Sequence, residues 1–440
     1  MQKKYLIFIG IVAAASYGIM NLSFKPVNPY YDNSILVIDK NRDKMVNIIE
    51  PFETKAWFDF NGDTFANSTS WIKEDYILVY DLNHDGVIFY GKEFFYDEKL
   101  SKLDMLNKLD INDDQILNHK DKEFKYLKLF NDKNSNGSID KNEIVAFDKL
   151  DKSILIDLDN KFLHVNNKNY MLQEVKLTAS RQLTNYVKAD ELKKQLTAKM
   201  LFLPFIRGYG RVHDTQNKYI LNPAFKEYVE KLSKEDPANI EKEFPTFMKK
   251  WIGLDEVHKK YGINRIETTY DDKTWMIETI SGYKENIKEI EAAYAKGSSS
   301  SIQYNTKYID TFYKSGYFNT LSRFLFQTTY RNILKGAYYK LGSDTIGISN
   351  RELADSSIIE YVNSLNSNED IERLARTLAY LNIKQKYFQN KLLKKINSAN
   401  KEKFIRTYKS YVDEIMNSKF YATAKNKIKW ECTLKSENDL

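Results

Sequence analysis

The 440-residue chain is poor in cysteine, proline and glycine: it has one Cys (Cys432), 7 Pro and 16 Gly. A single cysteine excludes an intramolecular disulfide and leaves a Cys-based zinc site without ligands. So few prolines and glycines exclude a collagen-like or low-complexity chain. Histidine is also scarce, with 5 in all, and no G-x-S-x-G nucleophile signature accompanies them. His213-Asp214 closes the segment Arg207-Gly-Tyr-Gly-Arg-Val-His-Asp214. Its Gly-x-Gly lacks the remaining glycine and the strand context of a dinucleotide loop, so it reads as a structural turn. His164 and His258 stand alone. We expect no catalytic residues and a protein that is not an enzyme.

What is present bounds the protein from the other side. The length calls for two or three domains with room for a core. Met1-Gln-Lys-Lys4 precedes a 16-residue apolar stretch, Tyr5 to Met20, shorter than a comfortable membrane span. Two readings stand together: a secretory signal cleaved near Ala13-x-Ala15, or an uncleaved, tilted membrane anchor. Either way, residues from about 25 onward lie outside the cytoplasm, in a periplasmic, membrane-anchored or extracellular setting. Charge is uneven. Ile35–Asn160 holds 26 acidic and 17 basic residues, a net −9, while the remainder carries 50 basic and 34 acidic, a net +16. The basic part reads as solvated helix faces, and no nucleic-acid motif accompanies it.

The acidic segment repeats one pattern. An EF-hand-type loop supplies oxygen ligands to calcium from positions 1, 3, 5, 7 (a main-chain carbonyl), 9 and 12, with glycine at 6 for the sharp turn. The best match runs from Asp132 through Asn134, Asn136, Gly137, Ser138 and Asp140 to Glu143. A second has Asp81, Asn83, Asp85, Gly86 and Val87, with Glu93 one place late. A third has Asp110, Asn112, Asp114, Ile116 and Asn118, closing on Asp121. There Gln115 replaces glycine and must take a positive φ, or the turn must differ. Two degenerate stretches, Asp39-x-Asn41-x-Asp43 and Asp59-x-Asn61-x-Asp63, also lack that glycine. His84 and His119 fall at non-ligand positions. Asp, Asn and Gly also mark ordinary turns, but five such stretches behind apolar runs point to calcium.

The expected fold class is α+β. A signal or anchor (1–24) precedes an EF-hand-like calcium domain (25–160) and a small β-meander (161–178). A helical region (179–295), a Ser-rich linker (296–302) and a second helical region (303–440) follow. Ile371, Leu374, Ala375, Leu378 and Ala379 share one helix face, as do Leu321, Phe324, Leu325 and Thr328.

From Ile35 to about Lys394 the chain resembles the iron-regulated RTX (repeat-in-toxin) proteins of the FrpC type. The likeness rests on the order of the five loops and of their spacers, Ser70-Trp71-Ile72, Phe94-Phe95 and Phe124–Phe130. Weaker collinear matches follow at Arg207–Asp214, Lys250-Trp251, Leu325–Thr328 and Leu378–Tyr380. The resemblance implies a calcium-dependent self-processing module that cleaves an Asp-Pro bond just before the first loop. Ser34-Ile35 stands at that place, and Asp236-Pro237 lies well outside the module. The chain to Leu440 carries no glycine-rich nonapeptide repeats. The expectation is therefore an exported protein whose calcium loops stabilise an acidic domain and whose basic helical domain meets a protein partner or cell-envelope surface. Self-processing, and a dockerin-like protein-binding module suggested by Asp121 at position 12, are the alternatives.

Overall fold

The computed structural model describes residues 30–417, apart from 52, 89–90, 98, 141, 151–152, 341–344, 383–395 and 397–399. It is an α+β protein, strand-rich first and mainly helical afterwards. The segment 1–24 lies outside the described residues. Among those described, no helix is long and apolar enough to cross a membrane.

Among the described residues, twelve strands form the N-terminal region: β1 (Tyr30–Ile38), β2 (Asn47–Ile49), β3 (Trp57–Phe58), β4 (Phe65–Thr69), β5 (Trp71–Lys73) and β6 (Tyr76–Tyr80), then β7 (Ile116–Leu117), β8 (Leu127–Phe130), β9 (Ile144–Ala146), β10 (Leu155–Asp157), β11 (Phe162–Val165) and β12 (Lys168–Tyr186). Ten of them make one sheet with the path β7-β10-β11-β12-β1-β6-β8-β9, to which β4 adds beside β12 and β3 beside β4. The other two, β2 and β5, pair with each other.

β1 explains why the sheet is central. Ile35, Leu36, Val37 and Ile38 are all fully buried. Side chains alternate along a strand, so Leu36 and Ile38 enter one core with Leu78, Leu127 and Ile156. Ile35 and Val37 enter another with Phe58, Trp71 and Phe130. A strand covered on both faces reads as an unbroken apolar run rather than an alternating one.

Three boundaries differ from the sequence reading. The meander at 161–178 is not a separate unit: β10, β11 and β12 are successive strands of the main sheet. Nor does helix begin at 179, because β12 stays extended to Tyr186, pairing first with β1 and then, past a register shift, with β4. Tertiary hydrogen bonding there overrides local preference. The serines of 296–302 do not separate the helices into independent blocks. Ser300 Oγ donates to Asp271 and Ser301 Oγ donates to Glu289 at 2.6 Å. Residues on both sides, from Ile206 to Ile415, share one core.

That core holds helices Pro237–Ile252, Tyr270–Ser281, Thr306–Leu325, Asn368–Asn382 and Lys401–Asn417. Both apolar faces named above are buried in it. Two charged clusters cross it. Asp272 takes hydrogen bonds from His258 Nε2 at 2.8 Å, Arg265 at 2.7 Å and Tyr294 at 2.6 Å. Burial pushes its carboxyl up, but these bonds hold it far below the usual carboxylate range. Glu241 is bonded by Arg373 Nε at 2.8 Å and by Arg376 Nη2, tying helix Pro237–Ile252 to Asn368–Asn382. Removing one partner of such a pair leaves buried charge uncompensated. Glu241→Ala is therefore expected to cost roughly 3 kcal/mol, read as a lower urea midpoint with an unchanged m-value.

Candidate metal centre

Four of the five loops begin where a strand ends: Asp39 follows β1, Asp59 follows β3, Asp81 follows β6 and Asp132 follows β8 by one residue. The Asp110 loop leaves the helix Lys102–Asn107 and runs into β7.

All five share one internal bonding scheme, whether or not glycine is present. The position-1 carboxylate accepts the position-6 N–H: Lys44 to Asp39 at 2.8 Å, Thr64 to Asp59 at 2.8 Å, Gly86 to Asp81 at 2.9 Å, Gln115 to Asp110 at 2.9 Å and Gly137 to Asp132 at 2.8 Å. The position-3 amide oxygen (Asn41, Asn61, Asn83, Asn112, Asn134) accepts the position-5 N–H at 2.9–3.2 Å. The position-5 oxygen (Asp43, Asp63, Asp85, Asp114, Asn136) accepts the N–H of Met45, Phe65, Val87, Ile116 or Ser138. Positions 4 and 6 take positive φ in every loop, including Lys44 at 63°, Thr64 at 73° and Gln115 at 62°. The absent glycine therefore does not change the turn; it adds left-handed strain of about 1 kcal/mol to each substituted loop.

Closure differs more than the curl. Asp121 accepts the N–H of Ile111 at 3.1 Å and Glu143 accepts that of Lys133 at 3.0 Å, each the second residue of its loop. Asp140 lies inside the Asp132 loop, where the amides of Asn134 and Asn136 donate to it. In the Asp39 loop the equivalent bond, Lys40 N–H to carboxylate at 3.0 Å, is made by Asp75. Sequence reasoning missed Asp75 because it comes from the bend before β6, outside the loop. β1 and β6 pair Ile38 with Tyr76, which sets Asp75 opposite Asp39. Glu93 is fully buried in the short turn Gly91–Phe94. That turn is also fastened to the Asp59 loop, through the Gly91 N–H to Asp59 O at 2.9 Å.

Three further residues approach the loops from outside. Trp71 Nε1 donates to Asp132 at 2.8 Å. Lys128 Nζ lies 2.7 Å from Asp81 Oδ2 and 3.1 Å from the Gly86 carbonyl. Arg211, from the Arg207–Asp214 turn, lies 3.2 Å from Asp63. That turn is a packing element: Gly210 bonds the backbone of β12 at Gln182, and its φ is +61° with Thr279 O in the space of a Cβ. The His213 ring is wedged between Phe65 and Tyr186, and burial brings its pKa down to about 4. His84 stacks on Tyr126.

Among the described residues, no group of three or more His, Cys, Asp or Glu side chains is disposed as a ready metal cluster. The loops instead mix carboxylates with amide and main-chain oxygens, the hard donor set that calcium takes. One observation bears directly on fit. Asp81 Oδ1 and Asp110 Oδ1, both at position 1, are buried with no hydrogen-bond partner. A buried polar atom left so is costly and marks a place where an ion or water belongs. Burial likewise raises the carboxyls of Asp59, Asp75 and Asp132 above the usual range.

A family model described as SPM domain matches residues 36–193, which takes in the main sheet and all five loops. The chain is also similar to the iron-regulated protein FrpA of Neisseria meningitidis serogroup C, at 28% identity over 225 residues. The match takes in 46% of this chain and 20% of FrpA, so the chain spans about a fifth of that relative's length.

The raised carboxyls give a pH dependence with a definite sign. An acid whose folded pKa lies above its unfolded value favours folding in its protonated form, and that contribution is lost as pH rises through the folded pKa. Asp272 and Asp81 are shifted the other way, so their contribution begins to fall only below the unfolded value of about 4. Buried His213, with its pKa at about 4, opposes this in either state, because the unfolded imidazole takes up a proton as pH falls through about 6.5. The carboxyls are therefore read as a difference: metal-stripped protein should lose less melting temperature between pH 7 and about pH 5 than calcium-loaded protein does.

Proposed function

We propose that this chain is an exported calcium-binding protein in which the loops stabilise the acidic sheet region, while the basic helical region meets a protein partner or cell-envelope surface. The observation that carries the calcium reading is the pair of buried, unpartnered position-1 oxygens, Asp81 Oδ1 and Asp110 Oδ1, inside loops of EF-hand type. The resemblance to the iron-regulated RTX proteins and the similarity to FrpA support it. When bound, calcium supplies a divalent charge and accepts 6–8 oxygen ligands. In the Asp132 loop the holders would be Asp132, Asn134, Asn136, the main chain at Ser138, Asp140 and Glu143. In the Asp110 loop they would be Asp110, Asn112, Asp114, the main chain at Ile116, and Asp121. In the Asp39 loop Asp75 joins Asp39, Asn41 and Asp43. These carboxylates repel one another when the loops hold no cation, so binding and folding are linked.

We further infer that the chain does not cleave itself. In Asp236-Pro237, Pro237 opens a helix and the Asp236 carboxylate caps it, accepting the N–H groups of Ala238 and Asn239 at 2.9 Å each. That carboxylate is committed to two backbone donors and is not free to attack its own peptide carbonyl. The chain should stay intact on a denaturing gel after prolonged exposure to calcium, and a calcium-triggered break there would overturn this reading.

Adding calcium to stripped protein should raise the melting temperature and alter the emission of Trp71 through its bond to Asp132, a change absent in Trp71→Phe. Glu143→Gln should abolish the Trp71 signal at low calcium, whereas Asp75→Asn should leave it intact and reduce the bound stoichiometry by one. If chelation leaves both circular dichroism and melting temperature unchanged, the calcium reading fails.

A further inference from the structure

A cleft of about 930 Å³ opens between the sheet and the helical region, its floor formed by Tyr31–Ser34 of β1. Its lining includes Lys102, at the start of helix Lys102–Asn107, Glu174 of β12, and Lys284 and Lys288 of the helical region. Lys102 is 4% exposed. Its ammonium sits over the Tyr96 ring at 4.7 Å. No carboxylate lies within ion-pair distance of it among the described residues. The charge that acts on it most strongly is Glu174, but that carboxylate accepts the Ser34 hydroxyl at 2.5 Å and is committed there. An unpaired ammonium in a poorly hydrated place is disfavoured against the neutral amine. Burial accordingly lowers the Lys102 pKa to about 8. A neutral lysine amine facing a cleft is a nucleophile toward carbonyl carbon.

We propose that the cleft binds a small, polar aldehyde or ketone and that Lys102 Nζ forms an imine with it. The amine lone pair attacks the carbonyl carbon, and a proton passes from nitrogen to oxygen to give the carbinolamine. Water then leaves as the C=N bond forms, with no oxidant or reductant required. The lining suits such a ligand. It is polar and charge-balanced, four lysines (Lys102, Lys176, Lys284, Lys288) against four carboxylates, so it favours hydroxyl-bearing carbonyl compounds over strongly ionic or apolar ones. None of the residues lining the cleft belongs to the metal loops.

The test uses the full chain with glycolaldehyde as the probe and cyanoborohydride to trap the imine at pH 8, followed by peptide mapping. Lys102 should be modified at least about tenfold faster than Lys122, whose side chain is 77% exposed. Lys102→Met should remove the fast phase and leave the labelling of Lys122 unchanged. Crowding the cleft from the helical side, by Lys284→Trp, leaves the Ser34–Glu174 bond in place and should slow labelling of Lys102 alone. Modification of Lys102 no faster than that of Lys122, in protein whose circular dichroism is native, would overturn the proposal. So would a fast phase that persists in Lys102→Met.

Discussion

The nine-residue antiparallel pairing of β1 with β12, from Tyr30 opposite Ser180 to Ile38 opposite Leu172, is the constraint on which the rest of the molecule depends. β12 alone reaches β11 at one end, β1 in the middle and β4 at the other. Once β1 lies on it, β6 and β8 add in order, and each strand end is fixed in space. The loops inherit their positions from those ends. Beyond Ile38, where β1 meets β6, the chain must turn, and the residues at that point are Asp39 just after β1 and Asp75 just before β6. The far end of β12 carries the helical region, through Gly210 on Gln182 and Thr184 on the Gly210 carbonyl. One ladder thus sets both the acidic loops and the basic region that follows them.

The loops were legible because their chemistry is local. Each bond that curls them joins residues no more than five apart, so Asp-x-Asn-x-Asp specifies the turn by itself. It does so even where Lys44, Thr64 or Gln115 stands in place of glycine. The helical faces were legible for a similar reason, since their spacing is a property of one helix. What was not legible is whatever crosses strands. Asp75, Lys128 and Arg211 lie 36, 47 and 148 residues from the carboxylates they meet, and nothing in their own neighbourhoods announces it. The course of β12 was hidden likewise. Its second half, from Ala179 to Tyr186, has no strand alternation and stays extended only because β1 and β4 supply its hydrogen bonds.

Those cross-strand residues alter the ranking of the loops. Calcium affinity in such loops follows the number of charged ligands and the rigidity of the site. By sequence the Asp81 loop is second best, with its glycine in place, yet Lys128 already pairs with its position-1 carboxylate. The Asp39 loop has the poorer sequence, but three carboxylates, Asp39, Asp43 and Asp75, act on one another there. Of its three cations, Lys40 lies over the Tyr76 ring and Arg42 toward that of Tyr170, and neither they nor Lys44 pairs with those carboxylates among the described ion pairs. Uncompensated negative charge is therefore greater in the loop that pattern-matching puts last. Glycine content measures the strain of the turn, while the charge left unpaired measures the demand for a cation.

The Asp59 loop shows how that demand can be met from within. Arg211 reaches Asp63 from the helical region, and its own N–H is bonded to Thr279 at 2.9 Å. The same turn sets His213 between Phe65, the seventh residue of that loop, and Tyr186 at the end of β12. A metal held by Asp59, Asn61 and Asp63 would draw on the carboxylate that now anchors Arg211. The helical region and a cation therefore compete for one group, and the strength of the junction depends on which of them holds it. Lys128 stands to the Asp81 loop in the same relation, but as a residue of the sheet itself. Of the five loops the Asp59 loop alone is bridged by a cation of the helical region among the described ion pairs, so it is the place where metal binding in the sheet can be felt by the helices.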